Sequence, residues 1–212
     1  GIACGNVNSA GLFSGVAPGA ELIVVKVKQA KQNLREFYYV RDGVPAYSEV
    51  DIMRALSFVK EYAEENAVPV SIVIGMGTAL GSHSGASPLA NMIADISGIS
   101  GVCVTLPGGN EGGERLHFKG RNEGAEPVRA EIRTGRGVKG FTANVWSKAP
   151  YVYTVEIISP SGQVVGRIPA RNETTTLTFP FENSTIYVYY RRYEGISGAN
   201  LITLRFAAPA EG

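Results

Sequence analysis

The chain has 212 residues, a formal net charge of +1 and 18% charged residues, a balance that excludes a strongly basic nucleic-acid-binding surface. Its apolar runs are shorter than the ~20 residues of a membrane helix, so we expect no membrane insertion. With 44% hydrophobic residues, 26 glycines and 11 prolines, the composition is typical of a globular protein rich in turns.

The first half of the sequence alternates strand-like and helix-like segments. Apolar residues recur at helical spacing between Ile52 and Tyr62, and Ser48 with Asp51 predicts the start of that helix. Strands alternating with helices favour a parallel sheet covered by helices. The predicted elements are a strand at 22–27, a helix at 48–66, a strand at 68–74, a helix opened by Ser87 and Pro88, and a strand at 102–106 that we expect to be buried on both faces.

The second half of the sequence has no helical pattern. Many of its apolar runs alternate with polar residues, which is typical of an antiparallel sandwich or jelly roll. We therefore predict two domains, 1–119 and 120–212, joined around residues 118–127. Turn signals separate the predicted strands, which are 128–133, 140–146, 152–158, 164–168, 174–181, 185–190 and 201–206.

Two predicted strands of the first half end in glycine-rich segments. Residues 72–77 read IVIGMG, and residues 105–113 read TLPGGNEGG. Ligands of parallel sheets bind beyond the carboxyl ends of the strands, and glycine there lets another backbone approach closely. The side chain of Asn110 would be an amide donor at that edge, suited to an oxygen that becomes negative during acyl transfer.

Local chemistry alone leaves other interpretations of these residues open. Residues 108–112 are also compatible with a plain turn that uses the tolerance of asparagine for left-handed geometry. A phosphate-binding loop is a weaker alternative, because the segment matches neither the P-loop nor the dinucleotide fingerprint.

Four ordered segments together resemble the subtilisin-like serine peptidases. They are GVAPGAELIVVKV at 15–27, DIMRALSFVKEYA at 51–63, IVIGMGTALGSHSG at 72–85 and VCVTLPGGNEGG at 102–113, and GIACGN at 1–6 is similar to the segment after the family's catalytic histidine. The resemblance covers residues 1–118. GTALGSHSG and the β-rich insertion are most similar to the clostridial branch that includes the spore-germination subtilases, in which a jelly-roll domain interrupts the catalytic domain.

The resemblance implies a fold and a set of site residues. The fold is a partial three-layer α/β subtilase-type parallel sheet followed by an all-β jelly-roll or sandwich domain. Asn110 matches the oxyanion-hole asparagine, and Gly75, Met76 and Gly77 match the segment that pairs with substrate backbone. The segment Pro107, Gly108 and Gly109 matches the wall of the pocket for the residue before the scissile bond.

The same resemblance implies that the catalytic triad lies outside this chain. The family's aspartate and histidine motifs would precede Gly1, and its GTSxAxP nucleophile motif would follow Gly212. His83 and His117 lie outside the family's HGT context, and we interpret both as loop or packing histidines. The resemblance further implies peptide or protein substrates in the full-length protein, no cofactor or metal, and a bacterial, secreted or spore-associated location.

Three other constellations are weak. Cys4 and Cys103 are expected to be buried free thiols, so a thiol protease is disfavoured. Asp42, Glu49 and Asp51 match no known cation loop. Tyrosines 187, 189, 190 and 193 could form a carbohydrate platform, but alternating tyrosines on a sandwich more often form one buried and one interfacial row.

Two interpretations of function remain beside the serine endopeptidase. One is a pseudoprotease-like binding or signalling protein of the same family, and the other is a carbohydrate-binding or adhesion module made by the β-rich half. We also expect this chain to self-associate through exposed apolar strand edges.

Overall fold

A computed structural model of the chain describes residues 1–7, 11, 13–124 and 126–209. It divides into two compact units, one of Gly1–Gln29 with Tyr47–Val68 and one of Ala30–Ala46 with Pro69–Gly212. More residues lie in strands than in helices. The predicted boundary between 119 and 120 stays a prediction, and Ala125 of the predicted junction lies outside the described residues. No helix in the described ranges is long and apolar enough to cross a membrane.

The first unit contains a long amphipathic helix, α2, which confirms the predicted helix. A shorter helix of the second unit, α1, spans Gln32–Phe37 and was not predicted. Helix α2 spans Glu49–Asn66, with Ser48 as its N-cap residue, although the Ser48 side chain makes no capping hydrogen bond. Leu56 and Ala63 are buried, whereas the glutamates of the last turns are exposed. The helix ends because Ala67 adopts a left-handed backbone with φ +52°.

The predicted strand at 22–27 is not a strand in the structure. These residues form no ladder with another segment in the described part of the chain, and Leu22 and Val24 are exposed. A strand needs a hydrogen-bonded neighbour, and the apolar pattern alone could not show that none is present.

The second unit contains a two-stranded parallel sheet and a helix. Strand β1 (Val70–Val73) pairs in parallel with β2 (Val102–Thr105), in the register Val70 to Val102 and Val73 to Thr105. Helix α3 (Pro88–Ser97) connects them and contacts β2. Its predicted start is confirmed, since the Ser87 hydroxyl accepts a hydrogen bond from the Ala90 N–H at 3.0 Å.

Strand β2 is not buried on both faces, as the sequence predicted. Val102 and Val104 are half-buried, whereas Cys103 and Thr105 are exposed. The prediction of buried thiols is therefore wrong for Cys103, and Cys4 is only partly buried. The described part of the sheet has two strands rather than the three we predicted, so fewer neighbours cover it.

The β-rich region forms two antiparallel sheets. The larger sheet has the order β3-β8-β7-β6, and β4 pairs with β5. Six of the seven predicted strands are present, but residues 128–133 form no strand. The strands are β3 (Gly140–Ser147), β4 (Val155–Ile158), β5 (Val164–Ile168), β6 (Glu173–Phe179), β7 (Ser184–Arg191) and β8 (Asn200–Ala207).

One hydrophobic core joins these two sheets. Alternate residues of β7, namely Ile186, Val188 and Tyr190, are almost fully buried and pack with Ile202 and Leu204 of β8. The smaller sheet contributes four side chains that pack against this core, namely Val155, Ile157, Val165 and Ile168. The alternation predicted for this segment holds along 155–158, where Glu156 and Ile158 point to solvent, whereas residues 151–154 are all exposed and form no strand.

Helix α1 lies against the face of the larger sheet that is turned away from this core. The Arg205 guanidinium donates from Nε to the Phe37 carbonyl at 2.9 Å. It also lies 4.4 Å from the ring centre of Tyr39 and 5.3 Å from those of Phe37 and Tyr187. A Cβ at Gly140 would overlap the Tyr39 ring, so glycine at this position of β3 leaves the space in which Tyr39 packs.

Candidate functional site

The two glycine-rich segments leave the sheet at the same edge. Strands β1 and β2 are parallel and in register, and the Ile74 N–H continues their ladder by donating to the Thr105 carbonyl at 3.1 Å. The segments 75–77 and 106–110 therefore begin beside each other. This placement is the one expected for a ligand-binding edge of a parallel sheet.

The segment Gly75–Met76–Gly77 presents open backbone. No hydrogen bond to its amide or carbonyl groups occurs within the described part of the chain. A Cβ added at Gly75 or Gly77 would meet no atom within 4 Å, and neither residue has positive φ. Neither packing nor backbone conformation therefore requires glycine here, and room is left for another chain beside this one.

The segment Pro107–Gly109 follows β2, and its two glycines differ in the space around them. Gly108 has free space where a Cβ would lie, whereas Gly109 has φ +88° and its added Cβ would lie 2.9 Å from a carboxylate oxygen of Glu111. The turn thus favours glycine at 109 and not at 108. Pro107 and both glycines are exposed.

Asn110 lies at the tip of this segment with an exposed side chain. Its backbone N–H donates to Glu111 Oε2 at 2.9 Å, and the Glu114 N–H donates to the Glu111 carbonyl at 2.9 Å. The left-handed position of the turn is Gly109, while Asn110 itself has no positive φ. Asparagine is therefore not needed for the shape of this turn, and its side-chain amide forms no hydrogen bond within the described residues.

The two histidines of the chain lie together. The ring centres of His83 and His117 are 4.5 Å apart and their planes are inclined by 45°. Both side chains are exposed and belong to the loops that follow β1 and β2. Sequence reasoning placed each histidine in a loop but missed the pair, because no local signal relates two residues on different loops.

The remaining candidates do not form sites. Asp51 pairs with Arg54 at 3.0 Å, and no cluster of three His, Cys, Asp or Glu residues able to hold a metal occurs in the described ranges. The tyrosines are divided between faces: Tyr190 is buried and donates its hydroxyl to the Tyr153 carbonyl at 2.7 Å, whereas Tyr187 and Tyr189 lie on the opposite face. They form no common platform for a sugar.

Comparison with solved structures shows a fold shared with part of another protein. The chain superposes on the structure of the Clostridium perfringens CspB protease with a TM-score of 0.76 and 24% sequence identity. The match covers 98% of this chain and 41% of that one, so the chain spans less than half the length of that protease. No protein-family model matches the chain, and no curated protein matches it.

Proposed function

We propose that this chain is the substrate-binding part of a subtilisin-like serine endopeptidase, in which it supplies the oxyanion-hole amide. The observation that supports this most is the shared edge of β1 and β2, where the open backbone of Gly75–Gly77 lies beside the loop of Asn110, whose side-chain amide has no hydrogen-bond partner among the described residues. The fold shared with part of the CspB protease supports the same function.

In this proposal the substrate binds as an added strand. Parallel β1 ends at Val73, and beyond Ile74 the backbone groups of Gly75–Gly77 would pair with an extended peptide as an added strand. Main-chain hydrogen bonds would give affinity for any sequence, and the wall formed by residues 107–109 would select the side chain before the scissile bond.

The Asn110 amide would act on the transition state. Attack on a peptide carbonyl gives its oxygen a negative charge, and a fixed N–H donor stabilises that charge more than the neutral carbonyl. The nucleophile, base and orienting carboxylate would come from parts of the protein outside these 212 residues. The isolated chain is therefore expected to hydrolyse no peptide.

The experiment is the variant Asn110→Ala in a longer, active protein that contains this chain. We expect kcat to fall about 100- to 1000-fold, the loss typical of one oxyanion donor, with little change in KM. Asn91→Ala is the matched control, because Asn91 is an exposed asparagine on α3. An unchanged kcat in Asn110→Ala would refute the assigned role.

Measuring both peptide binding and peptide cleavage by the longer protein separates the pseudoprotease alternative. A longer protein that binds peptides along Gly75–Gly77 but never cleaves them would be a binding or signalling member of this fold. Cleavage by the purified isolated chain, at a rate unaffected by Asn110→Ala, would instead show that the chemistry lies elsewhere in these residues.

A further inference from the structure

We propose that His83 and His117 form a binding site for one divalent transition-metal ion of borderline softness, such as Zn²⁺. The chain contains only these two histidines, and the fold brings their rings together from two different loops. Neutral imidazole is a preferred ligand of such ions. This inference is independent of the proposed peptidase function.

The distance between the rings fits two ligands of one ion. A metal lies about 2.1 Å from a ligating imidazole nitrogen, so roughly 3.2 Å from the ring centre. Two such rings at ligand angles of roughly 90 to 109° would have centres about 4.5 to 5.2 Å apart. The observed separation of 4.5 Å lies within this range.

The loop that carries His83 is bent tightly around it. Gly81, His83 and Gly85 all have positive φ, of +114°, +52° and +76°, and the hydroxyls of Ser82 and Ser84 are bonded to each other at 2.7 Å. Positive φ is uncommon and costly for a residue other than glycine. The loop therefore holds a conformation that presents His83 toward His117 at a cost in backbone energy.

The ring nitrogens of both histidines are available. Neither imidazole has a hydrogen-bond partner in the part of the chain that the structure describes, and both side chains are exposed. Since no third His, Cys, Asp or Glu joins them among those residues, water would complete the coordination. A site with two protein ligands would bind and release its ion readily, and the bound ion would tie the loop after β1 to the loop after β2.

The experiment measures Zn²⁺ binding to the chain produced without a histidine tag. Zn²⁺ is titrated against a chromophoric chelator, and the imidazole Cε1–H signals are followed by NMR. Loss of a residue that merely supports a metal ligand costs about 10- to 100-fold in affinity, so His83→Gln and His117→Gln should each weaken binding at least about tenfold. Cys4→Ser/Cys103→Ser is the control, since the exposed Cys103 thiol could itself bind Zn²⁺.

We expect one equivalent of Zn²⁺ to shift both imidazole signals together, and the serine variant to retain this response. Wild-type affinity in either glutamine variant, or a response from only one imidazole, would overturn the proposal. So would loss of binding in the serine variant alone. The NMR titration uses the unaltered chain, so the result does not depend on how well any variant folds.

Discussion

At the scale of single residues, the glycines of the candidate site have two different physical roles. Gly109 has φ +88°, a backbone conformation that strains any other residue, so the turn itself favours glycine there. Gly77 has open space and an ordinary backbone, so nothing inside the described chain requires it. We infer that Gly77 is kept small for an external chain, which the proposed strand addition would supply.

This difference predicts opposite phenotypes for two alanine variants. Gly77→Ala should leave the free energy of unfolding unchanged within about 0.5 kcal/mol, because the new Cβ contacts nothing. Gly109→Ala should lose about 1–2 kcal/mol through its left-handed backbone. Denaturant unfolding of the chain measures both.

A companion measurement concerns substrate. In a longer, active protein, Gly77→Val should raise KM for peptides, since a β-branched side chain would occupy the path of the added strand. Equal KM values for Gly77→Val and the unaltered protein would show that substrate does not approach this segment.

At the scale of elements, Glu182 links the turns of two hairpins. It lies between β6 and β7, and its Oε1 accepts from the Ser161 N–H in the β4–β5 turn at 3.1 Å. The Ser161 hydroxyl, followed by the Ser159 hydroxyl, lowers the pKa of Glu182 to about 2 from an ordinary value of 4.5. The charged carboxylate therefore helps to hold the turns of the two sheets together.

This pKa predicts an acid-dependent loss of stability. The folded-state pKa is below the unfolded-state one, so the contribution of Glu182 is present above about pH 4.5 and is lost as the pH falls toward about 2. Glu182→Gln should reduce the slope of stability against pH in this window. Thermal unfolding from pH 6 to pH 2 tests it, and identical slopes for the two proteins would contradict the assignment.

Arg205 links the end of helix α1 to the larger sheet. This residue of β8 bonds to the Phe37 carbonyl and lies over the rings of Phe37 and Tyr39, beside the packing of Tyr39 at Gly140. Arg205→Leu removes the hydrogen bond and the cation–π contacts but keeps apolar bulk.

We expect Arg205→Leu to increase amide hydrogen exchange in Gln32–Phe37 while the amides of β7 and β8 stay protected by the hydrophobic core. Arg205→Lys is the informative second variant, because lysine keeps the positive charge but lacks the planar guanidinium group. Unchanged exchange in α1 for both variants would mean that Tyr39 packing alone holds the segment.

At the scale of the whole molecule, each compact unit exposes large apolar side chains. In the first unit Val24 is 78% exposed, and in the second Val73 is 71% exposed on β1, whose strand pairing within the described chain is with β2 alone. At about 25 cal/mol per Å2, a few hundred Å2 of bare apolar surface corresponds to several kcal/mol. That is comparable to the total stability of a domain.

We therefore predict that the chain self-associates and buries these residues against another copy. Light scattering at micromolar concentration should report a dimer or larger species, and Val73→Lys should reduce its mass by placing a charge on the strand edge. Val16→Lys is the matched control, since Val16 is exposed in a turn and offers no strand edge. A stable monomer at these concentrations would contradict the prediction.

The sequence by itself determined the elements whose signals are local. Helices α2 and α3 follow Ser48 and Ser87 as predicted, since helical spacing acts within one segment and, in α3, the Ser87 hydroxyl caps the first turn. The alternation of this region likewise predicted β4, in which one row of side chains meets the core. The resemblance indicated the candidate site, and the parallel pairing places its two glycine-rich segments at one edge.

Only the tertiary structure decided the features that need a partner distant in sequence. The apolar runs at 22–27 and 128–133 resemble strands but form none, because a strand exists only where a neighbour accepts its hydrogen bonds. Exposure of Cys103 depends on how many strands and helices cover β2, and the contact of His83 with His117 depends on where two loops meet. A local pattern specifies which residues share a face, whereas the rest of the fold specifies what that face contacts.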